Sequence, residues 1–284
     1  MKKTFKLAAV SLILIILSGF FTIAGATGTI RYVKENGTGS GDGSSWDNAS
    51  DNLQAMINAS AKGDQVFVAA GTYKPIYTIV GWSSTTPTAT SGGRDNSFVL
   101  KDEVGIYGGF SAVDSELSIE ERDFNQNITV LSGDLNGDDE TIGISDNSYH
   151  VVVSANVTNA AVLDGFTITG GNANILGSVT MESNRTVYRG YGGGIHNCYS
   201  SPTIKNIKII KNSARSGGGS YNANSKSPVY ENVEIIENFT AIPSGTSSGG
   251  GMYNYYSGVT FKNGKIIGNS AVTDRKSTRL NSSH

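Results

Sequence analysis

The sequence predicts an all-β fold, a right-handed parallel β-helix (a solenoid of short strands) with a short N-terminal capping helix. Three observations predict it. A segment of about 25 residues recurs three times near the C-terminus. Within each copy, apolar and polar residues alternate with the period of a strand that buries one face. Glycine triplets and asparagines recur at fixed positions. Because so short a copy cannot bury its apolar face alone, we expect the copies to stack.

The three copies begin with glycine triplets at Gly192, Gly217 and Gly249. Glycine at these positions allows tight corners where a side chain would meet the neighbouring copy. In the strand that follows the first triplet, Ile207 and Ile209 flank a lysine. The strand therefore has an apolar face that we expect to point inward.

Charged residues alternate in sign from copy to copy. Two columns are apparent, Lys205–Glu231–Lys262 and Lys208–Glu234–Lys265. Opposite charges on neighbouring strands are favourable and like charges are not. The alternation therefore predicts parallel copies in register, although a solvated polar face with accidental order is the alternative.

Asparagines occupy two equivalent positions in every copy. Stacked amides can donate and accept along a column, and asparagine tolerates left-handed turns. We therefore predict two structural ladders, Asn206–Asn232–Asn263 and Asn212–Asn238–Asn269.

Upstream of the repeats, Leu53, Met56 and Ile57 have helical spacing after Ser50, which is a suitable N-cap. A helix there would cover the open edge of the first coil. Further strands are predicted at 65–69, 97–100, 149–153 and 161–172, and loops at 81–96 and 173–190.

The N-terminus has the pattern of a signal peptide over residues 1–26. Three lysines precede an apolar run over 7–21, and a small-residue cleavage site, Ala24-Gly25-Ala26, follows. A retained membrane anchor is the alternative, but the run is shorter than the ~20 residues that span a bilayer. We therefore expect a secreted or cell-surface protein.

The last eleven residues, 274–284, resemble a translated sequencing adapter, with a genuine polar tail as the alternative. We accordingly expect a β-helix domain over 27–273 that is truncated at its C-terminal end. Contact with a membrane is expected only through an anchor or secretion domain that would follow it.

The composition excludes several classes of protein. A single cysteine, Cys198, rules out an internal disulfide framework and a cysteine zinc site. The net charge of −2 provides no basic footprint for nucleic acid. We expect the partner to be an extracellular polysaccharide or a host or cell-surface glycan.

Two groups of residues are candidate sites. Asp134, Asn136 and Asp138 alternate as oxygen ligands do at the start of a calcium loop, although an Asp/Asn/Gly turn is the alternative. We therefore expect no cofactor, with calcium bound at this loop as the alternative.

The second group contains His196, Tyr221 and Tyr253, which occupy equivalent positions in the three copies. If Ile195 and Met252 point inward, these rings project outward and form an aromatic strip for sugars. The alternative is a packed outer face under a loop.

The N-terminal part of the chain resembles a known family. The runs 31–46, 53–57 and 63–73 resemble the opening of secreted bacterial β-helix proteins of the pectin lyase-like superfamily. The Gly-Gly-Gly-x-x-Asn and Ile-Ile-x-Asn copies are similar to repeats of polymorphic outer-membrane proteins. The resemblance covers nearly all of 30–273. It implies the fold but no particular activity, because such proteins often serve at the cell surface without known chemistry.

The sequence therefore predicts a secreted or cell-surface scaffold, adhesin or glycan-binding module without catalytic activity. The alternative is a polysaccharide lyase or glycoside hydrolase of the same superfamily, with its site on loops 76–96 and 173–190. Lyases of this shape need acidic calcium ligands and a basic residue, and the hydrolases use clustered aspartates. The repeat strands show no such cluster, and Asp164 and Arg215 are isolated in sequence. Cys198 has one histidine nearby in sequence but no third residue to orient that histidine, so we do not expect Cys198 to act as a nucleophile.

Overall fold

The computed structural model describes residues 28–85, 93–113, 115, 118–240 and 247–272. The predicted signal peptide and the adapter-like residues lie outside the described residues. The described chain is mostly β, with strands in several parallel sheets and one α-helix. None of its helices has the length and apolar character that crossing a membrane would require.

Helix α1 spans Leu53–Ala59, where the sequence predicts a helix. Its N-cap is Asn52 rather than Ser50, because the Asn52 side chain accepts a hydrogen bond from the backbone N–H of Ala55 at 2.9 Å. Leu53 and Ile57 are buried in the main core, so the helix closes one part of it. The described residues also form four 3₁₀ turns, at Trp46–Asn48, Gly93–Asp95, Ile144–Asp146 and Glu182–Asn184.

The strands are short, as expected of a chain rich in glycine corners. In chain order, those before residue 190 are β1 Ile30–Val33, β2 Gln65–Ala69, β3 Gly71–Tyr73, β4 Phe98–Val99, β5 Gly105–Phe110, β6 Thr129–Ser132, β7 Val152–Ala155, β8 Val162–Asp164, β9 Thr167–Thr169, β10 Asn172–Ala173, β11 Ser178–Met181 and β12 Arg185–Tyr188. Those after it are β13 Ile195–Cys198, β14 Thr203–Lys205, β15 Lys208–Ile210, β16 Ser213–Ala214, β17 Ser220–Ala223, β18 Val229–Glu231, β19 Glu234–Ile236, β20 Phe239–Thr240, β21 Met252–Tyr255, β22 Thr260–Lys262 and β23 Lys265–Ile267.

Four parallel sheets contain all these strands except β11 and β12. Sheet A has the order β1-β2-β5-β8-β14-β18-β22, and sheet B the order β3-β6-β9-β15-β19-β23. Sheet C has the order β4-β7-β13-β17-β21, and sheet D the order β10-β16-β20. Strands β11 and β12 form an antiparallel hairpin.

The chain visits the sheets in a fixed order. From β4 onward it passes through sheets C, A and B in turn, and in the middle copies it then reaches sheet D. Each pass places its strands beside those of the preceding pass. Consecutive strands along the chain therefore lie in different sheets, while neighbours within a sheet come from successive copies.

The main core consists of apolar columns from sheets A, B and C. The best-formed columns are Ile106, Leu163, Ile204 and Tyr230 in sheet A, and Leu131, Ile168, Ile209 and Ile235 in sheet B. All of these side chains are buried in one cluster. The alternation predicted from the sequence thus places one face of each strand in this core.

The hairpin of β11 and β12 covers the outer face of sheet C. It buries Val179, Met181 and Val187 against Cys198 and neighbouring residues. The sequence predicts a loop over 173–190, which is wrong for this part of it. The hairpin was missed because its alternating apolar residues belong to no repeat. Their burial is explained only by packing against sheet C.

The glycine triplets lie where neighbouring copies approach most closely. A Cβ at Gly218 would lie 2.5 Å from the carbonyl oxygen of Gly250 in the next copy. No side chain could be accommodated without moving the backbone. The glycine at this position is therefore explained by the stacking of the copies.

The charged columns are in register, as predicted. Strand pairing places Lys205 beside Glu231 and Glu231 beside Lys262. It likewise aligns the column that contains Glu234 and Lys265, whose side chains lie 3.1 Å apart. In both columns, each lysine therefore lies beside a glutamate on the neighbouring strand.

The inner asparagines are joined by hydrogen bonds from copy to copy. Asn212 donates through its side chain to the Asn238 amide oxygen at 3.0 Å, and Asn238 donates to Asn269 at the same distance. The backbone N–H groups of Asn212 and Asn238 donate to the same oxygens at 2.9 Å. Asn238 also donates to the backbone carbonyl of Ile209. A fully buried amide thereby finds partners in both neighbouring copies.

Replacing Asn238 with alanine should lower the free energy of unfolding by about 2 kcal/mol. The change leaves the N–H of Asn212 and the carbonyl of Ile209 without their side-chain partner inside the protein. Urea unfolding followed by circular dichroism measures the effect. Asn232→Gly is the matched control, since Asn232 is exposed and has a positive φ that glycine accepts. Equal losses in the two variants would contradict the structural role of the buried ladder.

Candidate functional site

An open groove runs along the turn between sheets A and B. Its volume is about 340 Å³. It is lined by Phe124, Asn125, Ile128, Thr129, Gly165, Phe166, Thr167, Asn206, Ile207, Lys208, Asn232, Glu234, Asn263 and Lys265. The groove therefore crosses several copies and follows their stacking direction.

The floor of the groove contains the outer asparagine column. Asn206, Asn232 and Asn263 all have left-handed backbone conformations, with φ of 50°, 54° and 50°. Asparagine tolerates this conformation, which turns the chain from sheet A into sheet B. Asn232 donates to the Asn206 amide oxygen at 3.0 Å. Asn232 and Asn263 are exposed, so amide donors and acceptors are presented to solvent in a row.

One wall of the groove is charged. Glu234 is half-buried and accepts from the ammonium of Lys265 at 3.1 Å. Lys208 is exposed, and no described carboxylate lies within 4.0 Å of its ammonium. The wall thus offers one neutralised pair and one free cation.

The opposite end of the groove is apolar. Phe124 is half-buried and Ile128 is 43% exposed. The guanidinium of Arg122 lies 5.3 Å from the centre of the Phe124 ring. The groove therefore combines a row of amides with an aromatic ring.

A buried ion pair lies beneath the groove. Arg122 Nη2 and Asp164 Oδ2 are 2.8 Å apart, and both side chains are less than a tenth exposed. Asn206 donates to the other Asp164 oxygen at 2.7 Å. Asp164, which is isolated in sequence, is therefore fully engaged in holding the groove floor.

The predicted aromatic strip is in register but is mostly covered. His196, Tyr221 and Tyr253 are paired strand to strand, with ring centres 5.0 and 5.6 Å apart. His196 and Tyr221 are buried, and Tyr253 is half-buried. The expectation of an exposed strip is wrong for the first two, because Tyr191 packs 5.0 Å from Tyr221. His196 and Tyr221 instead belong to a packed outer face, which is the alternative predicted from the sequence.

The predicted calcium residues lie in the loop between β6 and β7. Asp134 and Asp138 offer ligand atoms that lie within 4.8 Å of one another, and Asp139 belongs to the same cluster. Asn136 lies in the same loop, where its amide nitrogen donates to Asp146. The structure thus brings Asp139 together with two of the three predicted residues.

Burial raises the pKa of Asp139. A hydrogen bond from Asn147 lowers this pKa, and the neighbouring Asp134, Asp146 and Asp138 carboxylates raise it. The loop therefore concentrates negative charge in a partly desolvated position.

Sequence reasoning missed Phe124, Ile128 and Asp139. The first two lie outside the repeats and come to the groove only through folding. Asp139 stands where a calcium loop of the familiar pattern has glycine, so the pattern itself argued against the residue that joins the cluster.

A comparison with known proteins adds no further constraint on the fold or site. No protein-family model, no curated protein and no solved structure matches this chain.

Proposed function

We propose that this chain is a secreted or cell-surface scaffold that binds a glycan along the groove between sheets A and B, without catalysis. The fold that we propose for it is a right-handed parallel β-helix. The fixed order of sheets C, A and B in successive passes supports that fold. Export is proposed from the N-terminal residues 1–26.

The observation that carries the proposal is the row of amides beside an aromatic ring. Exposed Asn232 and Asn263 can donate to and accept from hydroxyl groups. Phe124 offers an apolar ring face for the C–H side of a sugar ring. Successive strands are about 4.8 Å apart, so the amides repeat at a regular interval along the groove. A linear glycan has the same mixture of hydroxyls and apolar faces, repeated along its length.

The carboxylates near the groove favour binding over cleavage. Glycoside hydrolysis requires two carboxyl groups at a defined separation. Glu234 is the only carboxylate among the described residues that line the groove, and it is paired with Lys265. Asp164 lies beneath the floor and is occupied by Arg122 and Asn206. These partners leave no described pair of free carboxylates in the groove.

Binding should weaken about tenfold in Phe124→Ala and about threefold in Asn232→Gly, since each removes one contact surface while leaving the turn intact. The purified chain is screened against homogalacturonan, xylan, mannan and glucan, and the affinity for the bound polymer is measured by calorimetry. Tyr256→Ala is the matched control, because this ring is 79% exposed and lies outside the groove.

Unchanged affinity in both groove variants, or binding to no polymer of the panel, would contradict the proposal. The same polymers are incubated with the chain and assayed for unsaturated products and for reducing ends. Turnover that disappears in Glu234→Gln would establish the enzymatic alternative instead.

A further inference from the structure

We propose that the loop between β6 and β7 is a calcium site, in which Asp134, Asp138 and Asp139 bind one ion. The three carboxylates come from a segment of six residues, and their ligand atoms lie within 4.8 Å of one another. Calcium takes six to eight oxygen ligands in flexible geometry. A loop of partly buried carboxylates fits that preference.

The cluster forms no ion pair in the described part of the chain, although the ammonium of Lys74 lies beside Gly137 in the same loop. No described lysine or arginine lies within 4.0 Å of any of the three carboxylates. Two backbone N–H groups, those of Gly137 and Asp138, donate to one oxygen of Asp134 at 2.6 and 3.2 Å. These bonds shape the loop, but they pair none of the three carboxylates with a cationic side chain.

The independent observation is a group of buried oxygens that have no hydrogen-bond partner. Asp138 and Asp139 each have one carboxylate oxygen that is shielded from solvent and unpartnered, and so does the nearby Asp146. Burying a charged oxygen without a partner is costly, so native structures rarely leave one in that state. An ion bound among these oxygens would remove the cost.

The fully buried side-chain amide of Asn147, beside the cluster, also has an oxygen without a hydrogen-bond partner. Asn147 donates through Nδ2 to Asp139 at 3.2 Å and to the backbone carbonyl of Gly170 at 2.7 Å. Its own carbonyl oxygen has no partner, although the residue is 0% exposed. A neutral amide oxygen is a common calcium ligand. The loop therefore combines charged and neutral oxygens, and waters would complete the coordination.

The loop also has a structural position that an ion could stabilise. It connects β6 of sheet B to β7 of sheet C, and it contacts the next copy where Asn172 donates to the backbone carbonyl of Ile144. Bound calcium would hold the loop against that copy. The inferred role is therefore stabilisation of the fold, separate from the groove.

The test is thermal unfolding of the whole chain in EDTA, in CaCl2 and in MgCl2. We expect a dissociation constant for calcium of about 0.1 mM, typical of extracellular sites. A concentration about a hundredfold higher stabilises the folded chain by about 2.7 kcal/mol and should then raise Tm by about 5–11 °C. Calorimetric titration with CaCl2 should give one ion per chain. No heat and no shift in Tm, or an equal shift with magnesium, would overturn the proposal.

Two variants separate an ion site from a structural hydrogen bond. Asp139→Asn should abolish the rise in Tm with calcium, and in EDTA its Tm should equal or exceed that of the unchanged chain, because one of three crowded charges is gone. Glu140→Gln is the matched control, an exposed acidic residue next to the cluster, and should keep the full calcium response. A Tm that falls equally in both solutions for Asp139→Asn would overturn the proposal.

Discussion

Replacing Arg122 with methionine is expected to lower the free energy of unfolding by about 3–5 kcal/mol, because it leaves Asp164 as an uncompensated buried charge. The pair is separated by 2.8 Å, with both side chains less than a tenth exposed. Arg122 also donates to the backbone carbonyls of Gly108 and Ile119 at 2.9 and 3.1 Å. Arg122 also donates to the backbone carbonyl of Asp164 at 3.1 Å, so the variant loses an ion pair and three further hydrogen bonds.

A double-mutant cycle isolates the ion pair from those other contacts. Asp164→Leu alone should also be strongly destabilising, because the guanidinium then lacks its counter-charge. The double variant Arg122→Met/Asp164→Leu should be more stable than the sum of the two losses predicts, by about 2 kcal/mol or more. Urea unfolding of the four chains measures this coupling.

Lys62→Met is the control for that cycle. Lys62 forms an exposed ion pair with Glu103, at 2.6 Å, and screening by solvent makes such a pair weak. Its removal should leave the urea midpoint unchanged. Strictly additive losses at Arg122 and Asp164 would show that the buried pair is energetically unimportant.

The second large effect is a loss of stability in acid, caused by His150 and His196. Both rings are fully buried, with centres 5.0 Å apart. Each Nδ1 lies 2.9 Å from a backbone carbonyl oxygen, and each Nε2 has no partner. Protonation would therefore place unpaired charge inside the protein.

Burial lowers the pKa of His150 to about 4, although its contact with the Gly192 carbonyl raises that pKa. Burial also lowers the pKa of His196 well below its usual value, and the neighbouring His150 lowers it further. Both histidines thus stay neutral in the folded chain at pH values where the unfolded chain binds protons.

The pH window follows from these directions. Well above pH 6.5 both states hold neutral imidazoles, and the histidines do not affect the pH dependence of stability. Between pH 6.5 and about 4 the unfolded chain gains a proton at His150 that the folded chain does not, so stability falls as pH falls. At pH 4.5 His150 alone should cost about 2.5 kcal/mol relative to pH 7.5, and His196 adds in the same direction.

Urea midpoints at pH 7.5 and 4.5 measure this loss. The double variant His150→Gln/His196→Gln should be less stable at pH 7.5 but should lose much less on acidification. Carboxylates titrate in both proteins, so the difference between the two pH dependences isolates the histidines. An identical pH dependence in the variant would refute the assignment.

Much of the repeat architecture could be predicted from residues alone. The glycine triplets, the alternating strands and the charge columns indicated parallel copies, and the strands pair with the expected register. These features repeat because every copy faces the same neighbours. A residue pattern that repeats along the sequence therefore indicates that the same contact forms between each pair of neighbouring copies.

Contacts between unrelated segments could not be predicted in this way. Asp164 appeared isolated because Arg122 lies 42 residues earlier in the chain, outside any repeat. His196 was expected to face solvent because its neighbour Ile195 was expected to point inward. The contacts that bury its neighbour Tyr221 include Tyr191, from the segment that joins the hairpin to the next copy.

The sequence by itself determined the period, the strands of the repeats and their register, because a short copy can bury its apolar face only against another copy of the same pattern. Tertiary structure alone decided which surfaces remained open. It covered His196 and Tyr221, and it brought Phe124 to the asparagine row of the groove. The physical reason is that the exposure of a strand face depends on which other segment of the chain packs against it. Such a segment is held by shape complementarity and by the burial of apolar surface. The spacing of residues within one copy contains no information about either.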